Sequence, residues 1–415
     1  MTPTDPRAWP AHRARFLFLR RDVRGADAPL ASATKDGVSL RSDLDFSVWN
    51  PDSNVSNYKL VEPDDFVIGL RSFQHGISHS TVRGLVSPAY TVLRAVPGVE
   101  PRFYKYYFRS SLLISQLANI TQGIRQGQAI DMEAFQNLRM PLPPLEEQRR
   151  IADFLDTETR RIDRLRAASQ RQSALLDQRL TEQLRQLTTS AGHPETKTTG
   201  VPWMPRMAAN WRLHKVGRAF LTGSGTTPRS SDTDYFDGEH SWVNTGDLRD
   251  GKVTEPSKTV TSKALADYPT LTVYPPGSLV VAMYGATTGR VGILGVPACV
   301  NQACCVLSEA GAVDPEFAFF WFRAHRPEIL GLASGGGQPN ISQDLVRSLR
   351  IPAPSKDEQR LIVRRAREWE GRIVAQQGRQ KRRVDLLTER RQALVTAAVT
   401  GQFDVATADG RNVPA

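Results

Sequence analysis

The chain has 415 residues, a length that is enough for two or three domains. Hydrophobic residues make up 40% of it and charged residues 23%, a composition that excludes wholesale disorder. Its 54 lysines and arginines outnumber its 43 aspartates and glutamates, and the formal net charge of +11 favours a polyanionic partner. Cys299, Cys304 and Cys305 are too few for a disulfide framework, and we expect no metal site, secretory signal or membrane span, hence a soluble cytoplasmic protein.

Residues 1–144 are predicted to form a first domain of mixed helix and strand. Its aromatic run from Phe103 to Phe108 has helical spacing and is followed by Leu112, Leu113 and Leu117. Aromatic side chains can stack on the bases of single-stranded nucleic acids. The helical spacing and the leucines favour a buried helix face instead.

A long helix is predicted over residues 145–188. Its apolar residues recur at intervals of three, four and seven, which keeps them on one side of a helix. They are Ile151, Leu155, Ile162, Leu165, Leu176, Leu180, Leu184 and Leu187. Pro143-Pro144 followed by Glu146 and Glu147 marks its start.

The polar stretch 189–202 contains glycine and proline and is predicted to be a linker. Residues 203–354 are predicted to form a second mixed domain. The β-branched runs at 274–283 and 291–306 indicate strands, and an aromatic helix follows near Phe317.

A second long helix is predicted over residues 355–401, followed by a tail at 402–415. Ser355 and Glu358 have the capping-box spacing, and Gly401 stands where a helix-terminating glycine is expected. The apolar side of this helix carries Ile362, Trp369, Ile373, Val384, Leu387, Leu394 and Ala398.

Each helix spans about 40 residues and hence roughly 60 Å, which is too long for an ordinary globular helix. We therefore predict an α+β protein in which the helices form an antiparallel coiled coil and the two domains are related by an approximate two-fold axis. Ser169, Gln172, Gln376 and Gln380 interrupt the apolar seam, as residues that fix register do. The alternative is that each helix packs on its own domain.

The chain contains an internal duplication. Leu138-Arg-Met-Pro-Leu-Pro-Pro-Leu-Glu-Glu-Gln-Arg149 recurs 211 residues later as Leu349-Arg-Ile-Pro-Ala-Pro-Ser-Lys-Asp-Glu-Gln-Arg360. At the same offset Ile151 corresponds to Ile362. The sequence therefore indicates two tandem copies of one unit, each a mixed domain followed by a long helix.

The repeated Pro-x-Pro-x-x-x-Glu-Gln at residues 141–148 and 352–359 resembles the conserved regions of specificity subunits of Type I restriction-modification systems. Residues 386–405 are similar to the C-terminal conserved block of that family. Gly223-Ser-Gly-Thr-Thr-Pro228 with Tyr235-Phe-Asp-Gly238 is similar to the opening of its target-recognition domains. The first domain has no obvious counterpart of this opening, so the two half-sites are expected to differ.

The resemblance implies that each mixed domain is a target-recognition domain. Each would read one half of a bipartite, asymmetric site in double-stranded DNA, and the paired helices would set the gap between the halves. The helical regions would bind two methyltransferase subunits, and a nuclease-translocase subunit would complete the complex. The chain itself would be non-catalytic and need no cofactor.

Candidate DNA-binding residues are polar or cationic side chains on loops that can reach base edges or phosphates. In the first domain they are Arg71, Gln74, His75, His79, Arg83 and Arg125. In the second domain they are Thr226, Thr227, Arg229, Ser230, Asn244, Tyr284, Thr287, Thr288, Arg290, Gln338 and Asn340. For each of them an ordinary solvated loop is the alternative.

Candidate partner-binding residues lie at the start of each long helix. They are Glu146, Glu147, Gln148, Arg149, Glu358, Gln359 and Arg360. We expect charge reversal at Glu147 and Glu358 together to weaken co-purification with a methyltransferase subunit. A solvated helix face is the alternative.

No catalytic motif accompanies these residues. The Pro-Pro pairs at 143–144 and 275–276 lack the neighbours of the Asn/Asp-Pro-Pro-Tyr/Phe amine clamp of DNA amino-methyltransferases, and no Gly-x-x-x-x-Gly-Lys-Ser/Thr is present for ATP. Two alternatives stay open. One is a specificity subunit of a related two-protein enzyme whose methylation and cleavage share one chain, and the other is a coiled-coil scaffold that binds no DNA.

Overall fold

A computed structural model of the chain describes residues 9–45, 55–122, 129–308, 311–333 and 340–406. The chain divides into two compact units. Unit 1 comprises residues 1–170 and 381–415, and unit 2 comprises residues 171–380. Each unit therefore contains part of both long helices.

Unit 1 is built from short strands and helices before the first long helix. In chain order they are β1 (Ala11–Arg13), α1 (Ala14–Leu17), β2 (Phe18–Arg21), β3 (Ala31–Thr34), β4 (Gly37–Leu40), a 3-10 turn (Arg41–Asp43), β5 (Lys59–Val61), β6 (Phe66–Ile68), α2 (Ser72–His75), β7 (Ser78–His79), β8 (Gly84–Val86), β9 (Thr91–Ala95), α3 (Pro101–Tyr107), α4 (Ser111–Asn119), β10 (Thr121–Gln122), β11 (Ala129–Ile130), α5 (Met132–Asn137), β12 (Arg139–Pro141) and the long helix α6 (Leu145–Thr189).

A four-stranded antiparallel sheet in the order β2-β9-β6-β7 supports the core of unit 1. In its centre Phe66 of β6 pairs with Leu93 of β9 on one side and with His79 of β7 on the other. The aromatic side chains between Phe103 and Phe108 belong to the same buried cluster as this sheet, and the Phe66 and Phe108 rings meet edge to face with centroids 4.8 Å apart. The aromatic run is a buried helix face, as its spacing predicts.

Unit 2 contains the longer second half of the chain. Its elements are β13 (Thr196–Val201), β14 (Met204–Ala208), β15 (Arg212–Lys215), α7 (Val216–Ala219), β16 (Leu221–Ser224), a 3-10 turn (Thr233–Tyr235), β17 (Phe236–Val243), a 3-10 turn (Thr245–Asp247), β18 (Gly251–Val253), β19 (Lys258–Val260), α8 (Ser262–Asp267), β20 (Leu279–Ala282), β21 (Val291–Leu294), β22 (Ala298–Val300), β23 (Cys304–Ser308), α9 (Pro315–Ala324), α10 (Arg326–Gly331), α11 (Gln343–Ser348), β24 (Arg350–Ala353) and the long helix α12 (Lys356–Val399).

Two sheets organise unit 2. The larger has the strand order β16-β23-β20-β21-β18, with only the β18–β21 pair parallel. The smaller has the order β19-β17-β22, with β17 and β22 parallel. Phe317, Phe320 and Trp321 of α9 are buried in the same apolar cluster as Leu279 and other strand residues of the larger sheet.

The two units repeat one arrangement. The strand order β2-β9-β6-β7 of unit 1 matches β16-β23-β20-β21 of unit 2. In each unit a strand pair precedes the long helix, β1 with β12 and β15 with β24. The helix pairs α1 and α7, α3 and α9, and α5 and α11 hold the same places in the chain order. The duplication seen in the sequence is therefore present in the fold. The inserted segments differ, because unit 1 has β3, β4 and β5 between β2 and β6, whereas unit 2 has β17, β18 and β19 between β16 and β20.

The two long helices contact each other within each unit. In unit 1, Arg391 Nε of α12 lies 3.5 Å from Asp163 Oδ1 of α6. In unit 2, Gln377 Nε2 of α12 donates a hydrogen bond to Asp177 Oδ1 of α6 at 2.7 Å. Residue numbers rise along α6 as they fall along α12, so the helices run antiparallel.

An ion pair connects the aromatic helix to the long helix in each unit, with the charges exchanged. In unit 1, Arg102 of α3 lies 2.8 Å from Asp153 and 3.4 Å from Asp156 of α6. In unit 2, Glu316 of α9 lies 2.5 Å from Arg367 of α12. Arg102 and Glu316 both follow the first proline of their helix. The two copies have therefore diverged while keeping the attraction between these elements.

Some boundaries differ from the sequence prediction. The expected linker 189–202 includes strand β13, which pairs with β14 in a hairpin. Leu165 is 36% exposed, so it lies at the border of the apolar side. Gly401 has a φ of 75° just beyond α12, as expected for a glycine that ends a helix.

Candidate nucleic-acid interface

Several loops of unit 2 meet at one end of its larger sheet. Strand β16 ends at Ser224 opposite Cys305, near the start of β23. Strand β20 ends at Ala282 opposite Cys304, the first residue of β23, and β21 begins beside the end of β20. Strand β18 begins next to β21 at the same end. We call residues 225–230, 244–250, 283–290 and 301–303 the loop end of unit 2.

Asn244 and Asn301 stand together at this loop end because each directly follows one of the parallel strands β17 and β22. Asn301 Nδ2 donates to Asn244 Oδ1 at 3.2 Å, and Asn301 Oδ1 accepts from the amide of Ala303 at 3.2 Å. The backbone amide of Asn244 donates to Asp247 Oδ2 at 2.8 Å. Both side-chain amides are thus held in place while each keeps unused hydrogen-bonding capacity.

The glycine-rich opening of the second domain packs tightly against its neighbours. A Cβ atom at Gly225 would overlap the carbonyl group of Val300, the last residue of β22. A Cβ atom at Gly223 would overlap the hydroxyl of Tyr274. Glycine is required at both positions because the chain approaches these groups too closely for a side chain.

The threonines after these glycines reach the loop end. Thr226 Oγ1 lies 2.6 Å from Thr270 Oγ1, and the Thr227 hydroxyl donates to the side chain of Gln302. Ser230 is exposed. The loop 225–230 is thereby connected to residues 301–303, which join the two sheets.

Three arginines at the loop end have free guanidinium groups. Arg229, Arg249 and Arg290 are exposed, and within the described ranges their side chains make no hydrogen bond or ion pair. Free guanidinium groups can contact phosphates or pair with the O6 and N7 acceptors of guanine. The loop end therefore combines cations with fixed amide groups.

The loop 283–290 carries the remaining predicted residues of this domain. Tyr284 is 36% exposed and Thr287 is half-buried. Thr288 is only 8% exposed, and its hydroxyl donates to the carbonyl of Gly285 at 2.7 Å. The expectation that Thr288 contacts DNA is corrected, because its side chain stabilises the turn.

Asn340 is exposed and lies beside the same loop. The amide of the next residue, Ile341, donates to the carbonyl of Met283 at 2.8 Å. Two other predicted residues, Arg125 and Gln338, fall outside the described residues.

In unit 1 the exposed side chains of Arg71, Gln74 and His75 lie in and before α2, directly after β6. Strand β6 holds the same place in its sheet as β20 holds in unit 2. These three residues therefore lie at the equivalent sheet end.

His79 and Arg83 lie elsewhere in unit 1. Arg83 Nε is 3.3 Å from Glu62 Oε1, in the segment before β6. His79 is 7% exposed, with Nε2 3.0 Å from Asp64 Oδ1. Burial lowers the pKa of His79, although the hydrogen bond to Asp64 opposes this shift. The structure does not bring these two residues to the sheet end of Arg71, which corrects the grouping expected from the sequence.

Gln148, at the start of α6, has a structural role. It is 0% exposed, and its Nε2 donates to the carbonyls of Pro143 at 2.8 Å and Gly98 at 3.2 Å. Its Oε1 accepts from the amide of Glu100 at 2.8 Å. One side chain thus joins the motif, the start of the long helix and the segment before the aromatic helix.

Gln359 makes the same three hydrogen bonds in unit 2. Its Nε2 donates to the carbonyls of Pro354 and Ala312, both at 2.8 Å, and its Oε1 accepts from the amide of Asp314 at 2.6 Å. It is also 0% exposed. This corrects the expectation that the two glutamines bind a partner, because their side chains have no surface to offer.

The acidic residues of the motif differ in accessibility. Glu147 is 6% exposed and pairs with Arg150, and Glu358 accepts a hydrogen bond from His193 Nε2 at 2.6 Å. Both expected docking residues already have partners within the chain. Of the predicted partner-binding residues, those whose side chains are at least half exposed are Glu146, Arg149 and Arg360.

Three residues at the loop end are not among those predicted from the sequence, namely Arg249, Asn301 and Gln302. A sequence feature could have predicted two of them, because Asn301 and Gln302 directly follow the apolar strand that ends at Val300. Polar residues that directly follow short strands can lie together at one end of a sheet. Only the strand order shows that this end is the one facing Asn244.

Within the described part of the chain, no three His, Cys, Asp or Glu residues are grouped as metal ligands would be. No helix there has the length and apolar character of a membrane span. Burial raises the pKa of the Cys299 thiol to about 11 and those of Cys304 and Cys305 to about 12.

Comparison with known proteins gives matches over most of the chain. The family model of the Type I restriction modification DNA specificity domain matches residues 85–171 and 210–369, a segment in each copy. The Type I restriction enzyme MjaVIII specificity subunit of Methanocaldococcus jannaschii is 23% identical over 283 residues, which are 65% of this chain and 63% of that relative.

Two solved structures share the fold. One, from work on complex assembly and conformational transition of the type I R-M system, is 19% identical, covers 96% of this chain and 99% of its own, and has a TM-score of 0.74. The other, the HsdS subunit from Thermoanaerobacter tengcongensis, is 19% identical, covers 97% of this chain and 99% of its own, and has a TM-score of 0.53.

Proposed function

Because the chain belongs to the family of Type I restriction modification DNA specificity domains, we propose that it is the DNA-recognition subunit of a Type I restriction-modification complex. The observation that carries this proposal is the loop end of unit 2. There the paired amides of Asn244 and Asn301 lie with the free guanidinium groups of Arg229, Arg249 and Arg290.

This combination suits the reading of double-stranded DNA. A side-chain amide pairs with adenine through its N6 and N7 groups, and a guanidinium group pairs with guanine through O6 and N7. The other cations contact phosphates, which fixes the position of the loops without reading sequence. The hydroxyls of Thr226, Thr227 and Ser230 add short donors and acceptors.

Each unit reads one half of a bipartite site. Unit 1 offers Arg71, Gln74 and His75 at the sheet end equivalent to that of unit 2. Unit 2 has the glycine-rich loop, and it has β17–β19 where unit 1 has β3–β5, so the two halves differ in sequence. Arg125 and Gln338 remain predicted contacts.

The long helices form an antiparallel coiled coil that sets the gap between the halves and relates the units by a pseudo-two-fold axis. The antiparallel contacts at Asp163 in unit 1 and Asp177 in unit 2 support this role. The apolar positions of α6 are buried at Ile151, Leu155, Ile162, Leu176, Leu180, Leu184 and Leu187. Of the four polar residues predicted to interrupt the apolar seam, Ser169 is 2% exposed and Gln380 is half-buried. Gln172 and Gln376 are exposed, so they do not lie in an apolar seam.

The chain performs no catalysis itself and acts in the cytoplasm with two methyltransferase subunits and a nuclease-translocase subunit. Exposed charges at the start of the long helices support a docking role for Glu146, Arg149 and Arg360. The two long helices begin in the same way, with Gln148 and Gln359 making the same hydrogen bonds. This similarity favours one methyltransferase subunit at the start of each helix.

Long-read detection of N6-methyladenine across the host genome, with and without this gene, tests the function. We expect a split motif with a fixed gap to lose methylation when the gene is deleted. Complementation with Arg290→Gln should relax or abolish one half of that motif and leave the other half unchanged. Arg212→Gln is the matched control, since Arg212 is exposed on β15 and away from the loops. An unchanged methylome, together with no co-purifying methyltransferase, would instead support a scaffold.

A further inference from the structure

A cavity of about 470 Å³ lies inside unit 1, and its function is not explained by DNA recognition. Its walls come from the β3–β4 hairpin, β7, α3 and both long helices. Pockets that bind small molecules have volumes of about 300 to 1,000 Å³. The cavity is therefore large enough for a small organic ligand.

Cations outnumber carboxylates in the walls. The cations are Lys105, Arg109, Arg166 and Arg391, and the carboxylates are Asp36 and Asp163. Asp163 is shared, with Oδ1 3.2 Å from Arg166 and 3.5 Å from Arg391. Lys105 is paired with Asp156, which is not a wall residue, at 3.3 Å. The wall thus keeps a positive excess that centres on Arg109.

Arg109 is the cation without a carboxylate contact. Its Nη2 is inaccessible to solvent and has no hydrogen-bond partner among the described residues. Burial lowers the pKa of Arg109, and the nearby charge of Arg391 lowers it further, while Asp36 opposes the shift. Arg109 as a whole is half-buried, but a guanidinium nitrogen that is shielded from solvent without a partner is costly to a protein. An anion in the cavity would remove that cost.

The second copy shows how the same position is neutralised. Arg323 is the counterpart of Arg109, and its Nη1 lies 2.5 Å from Glu370 Oε1. The residue 211 positions before Glu370 is Thr159, whose hydroxyl donates to a helix carbonyl at 2.6 Å. Unit 1 therefore has the arginine without the glutamate that unit 2 supplies.

We propose that this cavity binds a small phosphate-class dianion, with Arg109 and Arg391 holding the phosphate group. Guanidinium groups bind phosphate through paired hydrogen bonds, and the Ser39 and Thr81 hydroxyls in the wall add two donors. The volume beyond one phosphate admits the rest of a phosphate monoester. Phosphate binding in this cavity does not depend on which DNA sequence the chain reads.

Titration calorimetry of the full-length chain with inorganic phosphate, at constant ionic strength with chloride, tests the proposal. We expect one saturable site per chain and a higher melting temperature with phosphate. Arg109→Gln should weaken binding at least tenfold, and Ser39→Asp should do the same by placing a carboxylate in the cavity. Arg323→Gln is the matched control and should bind phosphate as the wild type does.

Melting without phosphate separates binding from folding. Arg109→Gln should melt no lower than the wild type, because it removes an unneutralised charge, whereas Arg323→Gln should melt lower, because it leaves Glu370 unpaired. Absence of saturable binding, or unchanged affinity in Arg109→Gln, would overturn the proposal. Duplex DNA that displaces phosphate, together with loss of DNA binding in Arg109→Gln, would also overturn it, since the cavity would then hold a DNA phosphate.

Discussion

His325 is a buried base in the core of unit 2. It is 1% exposed and lies beside the rings of Trp203 and Trp321, with centroid distances of 5.4 and 5.3 Å. Its two ring nitrogens have no hydrogen-bond partner among the described residues. Burial lowers the pKa of His325 to about 3 from its usual 6.5, and the charge of Arg185 acts in the same direction.

We predict that this histidine makes unit 2 less stable in mild acid. Below pH 6.5 the unfolded chain takes up a proton that the folded chain does not, so stability falls as pH falls towards 3. The free energy of unfolding falls by at most about 1.4 kcal/mol per pH unit, which amounts to about 2 kcal/mol between pH 6.5 and 5. Melting curves at each pH give the free energies of unfolding of the wild type and of His325→Phe. Between pH 6.5 and 5 the wild type should lose about 2 kcal/mol more than the variant.

The exposed His12 provides the control for this titration. His12→Phe makes the same substitution at an exposed site in unit 1, so it controls for the change of residue type outside the core of unit 2. Parallel wild-type and His325→Phe curves would show that the folded state accepts the proton without cost.

At the scale of elements, the repeated motif joins three segments through its glutamine. The glutamine that ends the motif, Gln148 or Gln359, donates a hydrogen bond to the carbonyl of the motif's second proline. It donates another to the segment before the aromatic helix. The motif was identified from the sequence as a recurrence. Its physical role follows only from the hydrogen bonds.

We predict that Gln359→Leu destabilises unit 2 by about 3 to 5 kcal/mol, because it leaves one buried amide and two carbonyls unpaired at about 1 to 3 kcal/mol each. Urea unfolding followed by tryptophan fluorescence measures this, since most of the tryptophans belong to unit 2. They are Trp203, Trp211, Trp242, Trp321 and Trp369.

Arg360→Glu is the adjacent control. Its side chain is 72% exposed, so we expect a change in unfolding free energy within about 0.5 kcal/mol but weaker co-purification with the methyltransferase subunit. Equal stability losses in the two variants would contradict the separation of a structural glutamine from a docking arginine.

At the scale of the whole molecule, the proposed ruler predicts how the DNA gap responds to helix length. Both helices can be lengthened by inserting one heptad after Gln170 and another after Gln380, at the boundaries between the units. A heptad keeps the apolar side of each helix in phase within both units. Seven residues add about 10 Å of helix, and DNA rises about 3.4 Å per base pair. We expect the methylated motif to keep its two halves and lengthen its gap by about three base pairs.

A heptad inserted in only one helix is the control for this prediction. It shifts one helix against the other and should destroy methylation or folding. An unchanged gap in the doubly extended chain would show that the helices do not set the spacing.

The sequence by itself determined the duplication, the two long helices and the buried aromatic faces. These features rest on periodicity and on recurrence at a fixed offset, and both are properties of order along the chain. The polar character of the loops was also visible, which is why Asn244, Arg229 and Arg290 were among the predicted residues.

Only the tertiary structure decided which of these residues act together. Strand order brings Asn244 beside Asn301, and it separates His79 and Arg83 from Arg71 although all three lie close in sequence. Burial removed Gln148, Gln359 and Thr288 from the set of available side chains. Exposure and proximity depend on how distant segments pair in a sheet, and a local pattern of residue types does not contain that information.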